Sequence, residues 1–114
     1  MPGLRTPMAP LHSRHGQYRY YAYLDLARLR SGWTRDRIVS EVSAHGAPCF
    51  SGSCSDIYRE KAFSGTALAP RDPLATAHEL GETSLALLVH PTLEDTHVRR
   101  MADVLKSVLA SAID

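Results

Sequence analysis

The C-terminal part of the chain carries its most regular pattern of apolar positions. Beyond Asp95, apolar side chains recur at steps of three and four residues, which places them on one stripe of an α-helix. Thr92 and Asp95 form a T-x-x-D sequence, a relative of the capping box, which predicts where this helix begins. The sequence therefore predicts a long amphipathic terminal helix. Its apolar stripe consists of Val98, Met101, Ala102, Leu105, Val108, Leu109 and Ala112.

Aromatic residues dominate residues 17–24, which favours a β-strand because aromatic rings fit a pleated, half-buried surface. A helix is predicted over residues 35–45, with Thr34 as its N-cap and Gly46 as its stop. Side chains alternate between the two faces of a strand. One face of the aromatic strand would carry Tyr18, Tyr20 and Ala22, and the other Arg19, Tyr21 and Tyr23.

The middle of the chain predicts shorter elements. Residues 49–54 read as a short strand that leads into a turn, and residues 56–62 as a helical turn. Residues 74–80 read as a helix that ends near Gly81, and residues 83–89 as a buried strand. This order predicts an α+β fold in which helices cover one face of a small sheet. The other face would be free to meet another domain or subunit.

Length and composition fit one globular domain. The chain has 114 residues, of which 44% are hydrophobic and 22% are charged, and its formal net charge is +1. Such a balance provides no basic face for nucleic acid. The nearly apolar run 85–89 is far shorter than the roughly 20 residues of a membrane span, and no signal-peptide core is present, so a cytoplasmic location is expected. Residues 1–16, rich in proline and glycine, form an extended lead-in segment.

Two cysteines, Cys49 and Cys54, are read as free thiols, because the chain shows no secretory signal. A single C-x4-C pair falls short of the four ligands that a zinc site usually needs. The six histidines show no metal-ligand spacing either. The sequence therefore predicts no metal site.

Three segments together resemble a known family. They are residues 18–23 (YRYYAY), residues 47–63 (APCFSGSCSDIYREKAF) and residues 78–92 (HELGETSLALLVHPT). In order and content they are similar to the C-terminal part of the DegT/DnrJ/StrS-type sugar aminotransferases, over nearly the whole chain. The resemblance implies a small antiparallel-rich sheet with helices packed on one face, as in the C-terminal domain of fold type I aminotransferases.

The resemblance also implies a function and partners. Residues 17–114 would be the C-terminal small domain of a longer polypeptide, with a large domain that binds pyridoxal phosphate (PLP) preceding residue 1. The parent would transfer an amino group from glutamate or glutamine to a nucleotide-linked keto-sugar, in sugar, cell-surface polysaccharide or antibiotic biosynthesis. The partners of this domain would be its own large domain and a second subunit of a homodimer.

Substrate-binding candidates lie in two of the matching segments. Arg19 offers a planar fork of donors that suits a carboxylate or phosphate, although an arginine stacked on tyrosine rings is also a common surface arrangement. Ser51 and Ser53 can hydrogen-bond hydroxyls or phosphate, and Gly52 lets the backbone turn. Many family members have a histidine-tyrosine-proline pattern here, and this chain departs from it. A plain turn with buried cysteines is the alternative interpretation.

Tyr58 and His90 complete the substrate-binding candidates. Tyr58 could offer its hydroxyl to the pocket or anchor its short helix, and His90, at the end of the last strand, could instead satisfy backbone carbonyls. No catalytic residue is predicted, because Lys61 and Lys106 both read as solvated surface charges rather than a Schiff-base lysine. The fragment alone should therefore not be catalytic.

Two other function classes remain open from the sequence. One is a non-enzymatic α+β interaction module that binds a protein through its tyrosine-rich sheet face. The other is a thiol enzyme that uses Cys49 or Cys54, although no Cys/His spacing identifies the base that such a nucleophile needs.

Overall fold

The computed structural model describes residues 1–114 and contains a four-stranded antiparallel sheet with three α-helices. The strands are β1 (Leu4–Arg5), β2 (Arg19–Leu24), β3 (Cys49–Ser51) and β4 (Ser84–Leu88), in the spatial order β1-β2-β4-β3. The helices are α1 (Arg35–Ala44), α2 (Ala75–Thr83) and α3 (Asp95–Ala112). Short 3-10 turns cover Leu26–Arg28, Ile57–Arg59 and Lys61–Phe63. The predicted α+β fold is confirmed.

The core lies between one face of the sheet and the two helices α1 and α3. Helix α1 contributes Ile38 and Val42, and α3 contributes Leu109, all fully buried. They pack with Leu85 of β4 and Leu24 of β2. The predicted apolar stripe of the terminal helix therefore forms much of the core, as its three- and four-residue spacing requires. None of the helices is both long and apolar enough to cross a lipid bilayer.

The strand register places a second set of residues on the opposite face. Tyr21 of β2 and Phe50 of β3 both pair with Ala86 of the central strand β4, and Arg19 pairs with Leu88. Their side chains point away from α1 and α3, because successive residues of a strand face opposite sides. Phe50 is exposed, and Arg19 and Tyr21 are half-buried. This face, with Tyr23, is called the open sheet face below.

Helix α2 extends beyond its predicted end. It continues through Gly81 to Thr83, although Gly81 read as its stop. The Ser55 side chain lies where a Cβ of residue 81 would be, so glycine is required for close packing at this position. Helical geometry then continues until β4 begins at Ser84.

The start of α3 also differs in detail from the sequence prediction. Glu94 is the N-cap, and it forms a reciprocal capping box with His97. Thr92 instead hydrogen-bonds the ring of His90 in the preceding turn. The T-x-x-D pattern located the helix start correctly to within a few residues, but other side chains cap it.

Candidate functional site

Four of the six predicted substrate-binding residues line one cleft at the edge of the open sheet face. Arg19 comes from β2, and Ser51, Gly52 and Ser53 come from the end of β3 and the turn after it. Tyr18 and Tyr21 complete the wall of this cleft, whose volume is about 290 Å³. It is called the Arg19 cleft below. The antiparallel register brings these distant segments together, because β2 and β3 both flank β4.

Arg19 is held by aromatic rings rather than by an acidic side chain. Its guanidinium carbon lies 5.2 Å from the centre of the Phe50 ring and 5.8 Å from that of Tyr18. No carboxylate lies within ion-pair distance of it. Ring faces attract the cation but leave its in-plane N–H donors available. Arg19 therefore presents an uncompensated positive charge that can bind a carboxylate or phosphate.

The turn after β3 is fixed by two contacts. The hydroxyls of Tyr21 and Ser53 are hydrogen-bonded at 2.9 Å. Gly52 packs directly against Ser84. A Cβ added at position 52 would lie 2.8 Å from the Ser84 Cβ and 3.6 Å from the nearest atom of the Tyr21 ring. Only glycine fits such a close approach. The cleft that Arg19 lines therefore also contains the bonded hydroxyls of Tyr21 and Ser53.

Tyr58 and His90 lie outside the Arg19 cleft and have local partners. The Tyr58 hydroxyl donates to the Asp56 carboxylate at 3.2 Å and accepts from the Leu74 N–H at 3.1 Å. The His90 ring bonds the Thr92 hydroxyl at 2.8 Å and accepts the Thr92 N–H at 3.3 Å. Both contacts order turns. Their suggested roles in substrate binding stay predictions, and these positions favour the structural alternatives.

Asp56 is the centre of a small polar network near α2. Its carboxylate contacts the His78 ring at 2.9 Å and Arg59 at 3.7 Å, besides Tyr58. The hydrogen bond from His78, supported by Tyr58 and Arg59, holds the pKa of the Asp56 carboxyl below its ordinary value. The network ties the segment after β3 to α2 through one charged group.

We expect Asp56 to give stability a dependence on acid pH. A carboxyl with a depressed pKa in the folded state stabilises that state above its unfolded pKa, near 4, and loses this contribution as pH falls through the folded pKa. Asp56→Asn should therefore unfold at lower denaturant concentration than wild type near neutral pH, and the difference should shrink in acid. Urea unfolding monitored by circular dichroism across this range measures it. The exposed Asp72→Asn serves as control, and a difference independent of pH would contradict the assignment.

The two cysteines are free and differ in environment. Burial raises the pKa of the Cys49 thiol to about 11, which keeps it protonated and unreactive. Cys54 is exposed and donates to the Glu60 carboxylate at 3.4 Å, an interaction that raises the pKa of Cys54 too. Neither thiol is activated as a nucleophile, which argues against the thiol-enzyme hypothesis. No cluster of three metal-ligating side chains is present.

Neither lysine fits the Schiff-base position of a PLP enzyme. Lys61 is exposed in the 3-10 turn Lys61–Phe63, and Lys106 is exposed on α3, 3.6 Å from the Asp103 carboxylate. Both lie outside the Arg19 cleft. Neither lysine therefore contributes its amine to the Arg19 cleft.

Sequence reasoning did not identify two parts of the cleft. Tyr21 is not among the predicted binding residues, yet its hydroxyl bonds Ser53 in the cleft. Phe50 is not predicted as a support for Arg19, although its ring lies beside the guanidinium. Both contacts depend on strand register, which short sequence motifs do not encode. An aromatic residue in each of two predicted strands was the only available signal.

Comparison with solved structures shows that the chain is similar to part of several aminotransferases. It is 44% identical to the aminotransferase from Psychrobacter cryohalolentis over 86% of its own length, with a TM-score of 0.81, and covers 25% of that chain. The resemblance to an aminotransferase is confirmed. The chain spans only about a quarter of this relative. No protein-family model matches the sequence, and no curated protein matches it.

Two more distant aminotransferases share the fold. TlmJ from Streptoalloteichus hindustanus matches 96% of the chain at 21% identity with a TM-score of 0.76, and 27% of its own length is covered. A DegT DnrJ EryC1 StrS aminotransferase from Brucella abortus matches 92% at 19% identity with a TM-score of 0.72, and 26% of its own length is covered. The small α+β unit is thus a recurrent part of larger aminotransferase chains.

Proposed function

We propose that this chain is the C-terminal domain of a PLP-dependent aminotransferase that acts on nucleotide-linked keto-sugars. The single observation that carries the proposal is the 44% identity of the chain to an aminotransferase, of which the chain covers 25%. The amino donor would be glutamate or glutamine. The domain would comprise residues 17–114, to whose sheet the preceding residues 1–16 add strand β1.

The contribution of this chain would be to bind and orient the substrate. Arg19 has N–H donors free for a phosphate or carboxylate, and Ser51 and Ser53 line the same cleft, where the Ser53 hydroxyl is bonded to that of Tyr21. Hydroxyls that can both donate and accept suit the hydroxyl groups of a sugar. The cleft is too small and too open to enclose such a substrate alone, so the large domain and a second subunit would complete it.

The chemical step would belong to the rest of the parent protein. PLP supplies the electron sink for amino transfer, and its lysine would lie in the large domain, because Lys61 and Lys106 are both exposed and outside the cleft. The isolated chain is therefore expected to bind substrate groups without transferring an amino group.

The proposal predicts that Ser51→Ala/Ser53→Ala in the parent protein weakens keto-sugar binding about tenfold and leaves cofactor loading unchanged. Two neutral hydrogen bonds at about 0.5–1.5 kcal/mol each correspond to such a loss. Steady-state kinetics with the keto-sugar gives the binding effect, and the absorbance of bound cofactor gives the loading. Ser40→Ala/Ser64→Ala changes two exposed serines and serves as control. Normal keto-sugar binding by Ser51→Ala/Ser53→Ala would show that the turn after β3 has only a structural role.

A further inference from the structure

Arg35, the first residue of α1, carries a charged side chain that lies outside the Arg19 cleft and is nevertheless largely withdrawn from water. Its side chain is 17% exposed, whereas that of Arg37 on the same helix is 48% exposed. Withdrawing a charge from water costs free energy unless its donors find partners. The partners of Arg35 therefore indicate what its position contributes to the molecule.

Arg35 joins the start of α1 to the junction between α2 and β4. Its Nη1 donates to the Gly81 carbonyl at 3.0 Å and to the Ser84 carbonyl at 3.4 Å. Its Nε donates to the neighbouring Asp36 carboxylate at 2.6 Å. Carbonyls in the last turn of a helix lack partners within the helix, and a cation near them is favourable. One guanidinium thereby closes α2 and holds the residue at which β4 begins.

Ser84 connects this junction to the Arg19 cleft. Its carbonyl accepts from Arg35, while its side chain packs against Gly52. A Cβ added at position 52 would lie only 2.8 Å from the Ser84 Cβ, so no space is left in which the two residues could shift independently. Gly52 and the next residue, Ser53, both line the cleft. A continuous series of contacts therefore runs from Arg35 through Ser84 to the cleft wall.

We propose that Arg35 is a positioning residue for the Arg19 cleft: by holding the Ser84 end of β4 in place, it sets where the turn after β3 lies. The inference rests on the proposed function for what the cleft binds, but the geometric dependence holds whatever the ligand. The planar guanidinium can bond two carbonyls and a carboxylate at once, because its N–H donors point in fixed directions. A lysine ammonium keeps the charge without this fork, and a glutamine side chain keeps neither.

The 114-residue chain tests the geometric part of the proposal without any substrate. Chemical-shift changes of backbone amides in nuclear magnetic resonance spectra report displacement residue by residue. Arg35→Gln should shift the amides of Ser84 and of residues 51–53, because it removes the bonds that hold the start of β4. Arg35→Lys should shift the same amides by a smaller amount.

Arg37→Gln is the matched control on the same helix. Arg37 donates to the Gly32 carbonyl at 3.0 Å, lies 3.7 Å from the Glu41 carboxylate and stacks on the Trp33 ring at 4.1 Å. None of these partners lines the Arg19 cleft. Arg37→Gln should therefore leave the amides of residues 51–53 unchanged, although it also removes a charge from α1.

Kinetics of the parent protein test the consequence for substrate binding. Arg35→Gln should raise the KM for the keto-sugar about three- to tenfold, the effect of one misplaced hydrogen bond, and leave kcat and the absorbance of bound cofactor little changed. Such a split is expected when binding is weakened and the chemical step is not. Arg35→Lys should recover part of the loss, and Arg37→Gln should behave as wild type. A role in stability alone would lower the unfolding midpoint without this change in KM.

Two results overturn the inference. They are amides of residues 51–53 that stay unmoved in Arg35→Gln, and an unchanged KM in a variant parent that folds and loads cofactor. If Arg35→Gln does not fold, the same two criteria apply to Arg35→Lys, which keeps the charge. The proposed function fails differently, when the wild-type parent transfers no amino group to a nucleotide-linked keto-sugar. The amide displacements would still be found in that case, because they need no substrate.

Discussion

Leu109→Ala is expected to lower the free energy of unfolding by about 2–5 kcal/mol, the usual cost of a large-to-small change in a core. Leu109 is fully buried in α3, where it packs in the cluster that also contains Ile38 of α1 and Leu85 of β4. The substitution removes contacts between both helices and the sheet at once. Urea denaturation monitored by circular dichroism gives the difference, and the slope of the transition should not change.

The matched control for this variant lies on the same helix. Val98 belongs to the predicted apolar stripe but is 50% exposed, so Val98→Ala should cost well under half as much. Both variants introduce alanine, the best helix former, into α3, so neither loss can be attributed to poor helix propensity. Equal losses for the two variants would show that the terminal helix does not pack on the sheet as described.

Gly52→Ala is expected to destabilise the fold by about 1–3 kcal/mol and to weaken ligand binding at the Arg19 cleft. A Cβ at position 52 would collide with the Ser84 side chain and would lie 3.6 Å from the Tyr21 ring. Strand β3 would have to move away from β4, which would displace Ser53 from its hydrogen bond with Tyr21. Thermal unfolding measures the loss of stability, and the amide shifts of residues 51–53 measure the displacement.

Gly16→Ala provides the control for the glycine change. No atom lies within 4 Å of a Cβ at Gly16, and its backbone does not adopt a positive φ, so alanine should be tolerated there. A Gly52→Ala variant as stable as Gly16→Ala would mean that the turn after β3 is not packed against Ser84. The Arg19 cleft would then lack the rigid wall assigned to it.

Several elements could be predicted from the sequence because their causes are local. The apolar stripe of α3 follows from spacing alone, and α1 begins after Thr34, whose side chain accepts the N–H of Arg37. The helix stops at Gly46, which adopts φ +81°. The α+β class follows from the order of such elements, and the aminotransferase resemblance from motifs in three segments.

The short-range turns were less accurately predicted, because the packing of neighbouring elements overrides local signals. Gly81 reads as a helix stop, but it lies inside α2, where the Ser55 side chain packs against it. The predicted helical turn over residues 56–62 is two 3-10 turns, Ile57–Arg59 and Lys61–Phe63. Thr92 binds His90 rather than capping α3.

The sequence by itself determined the three helices, the strands β2, β3 and β4, the apolar stripe of α3, and Arg19, Ser51, Gly52 and Ser53 as candidate residues. It did not predict strand β1, which lies in the lead-in segment. Only the tertiary structure decided that these four line one cleft and that Phe50 supports Arg19. It also placed Tyr58 and His90 elsewhere. The reason is physical: residue spacing sets which face of a helix or strand a side chain occupies, whereas strand order and register set which distant faces meet.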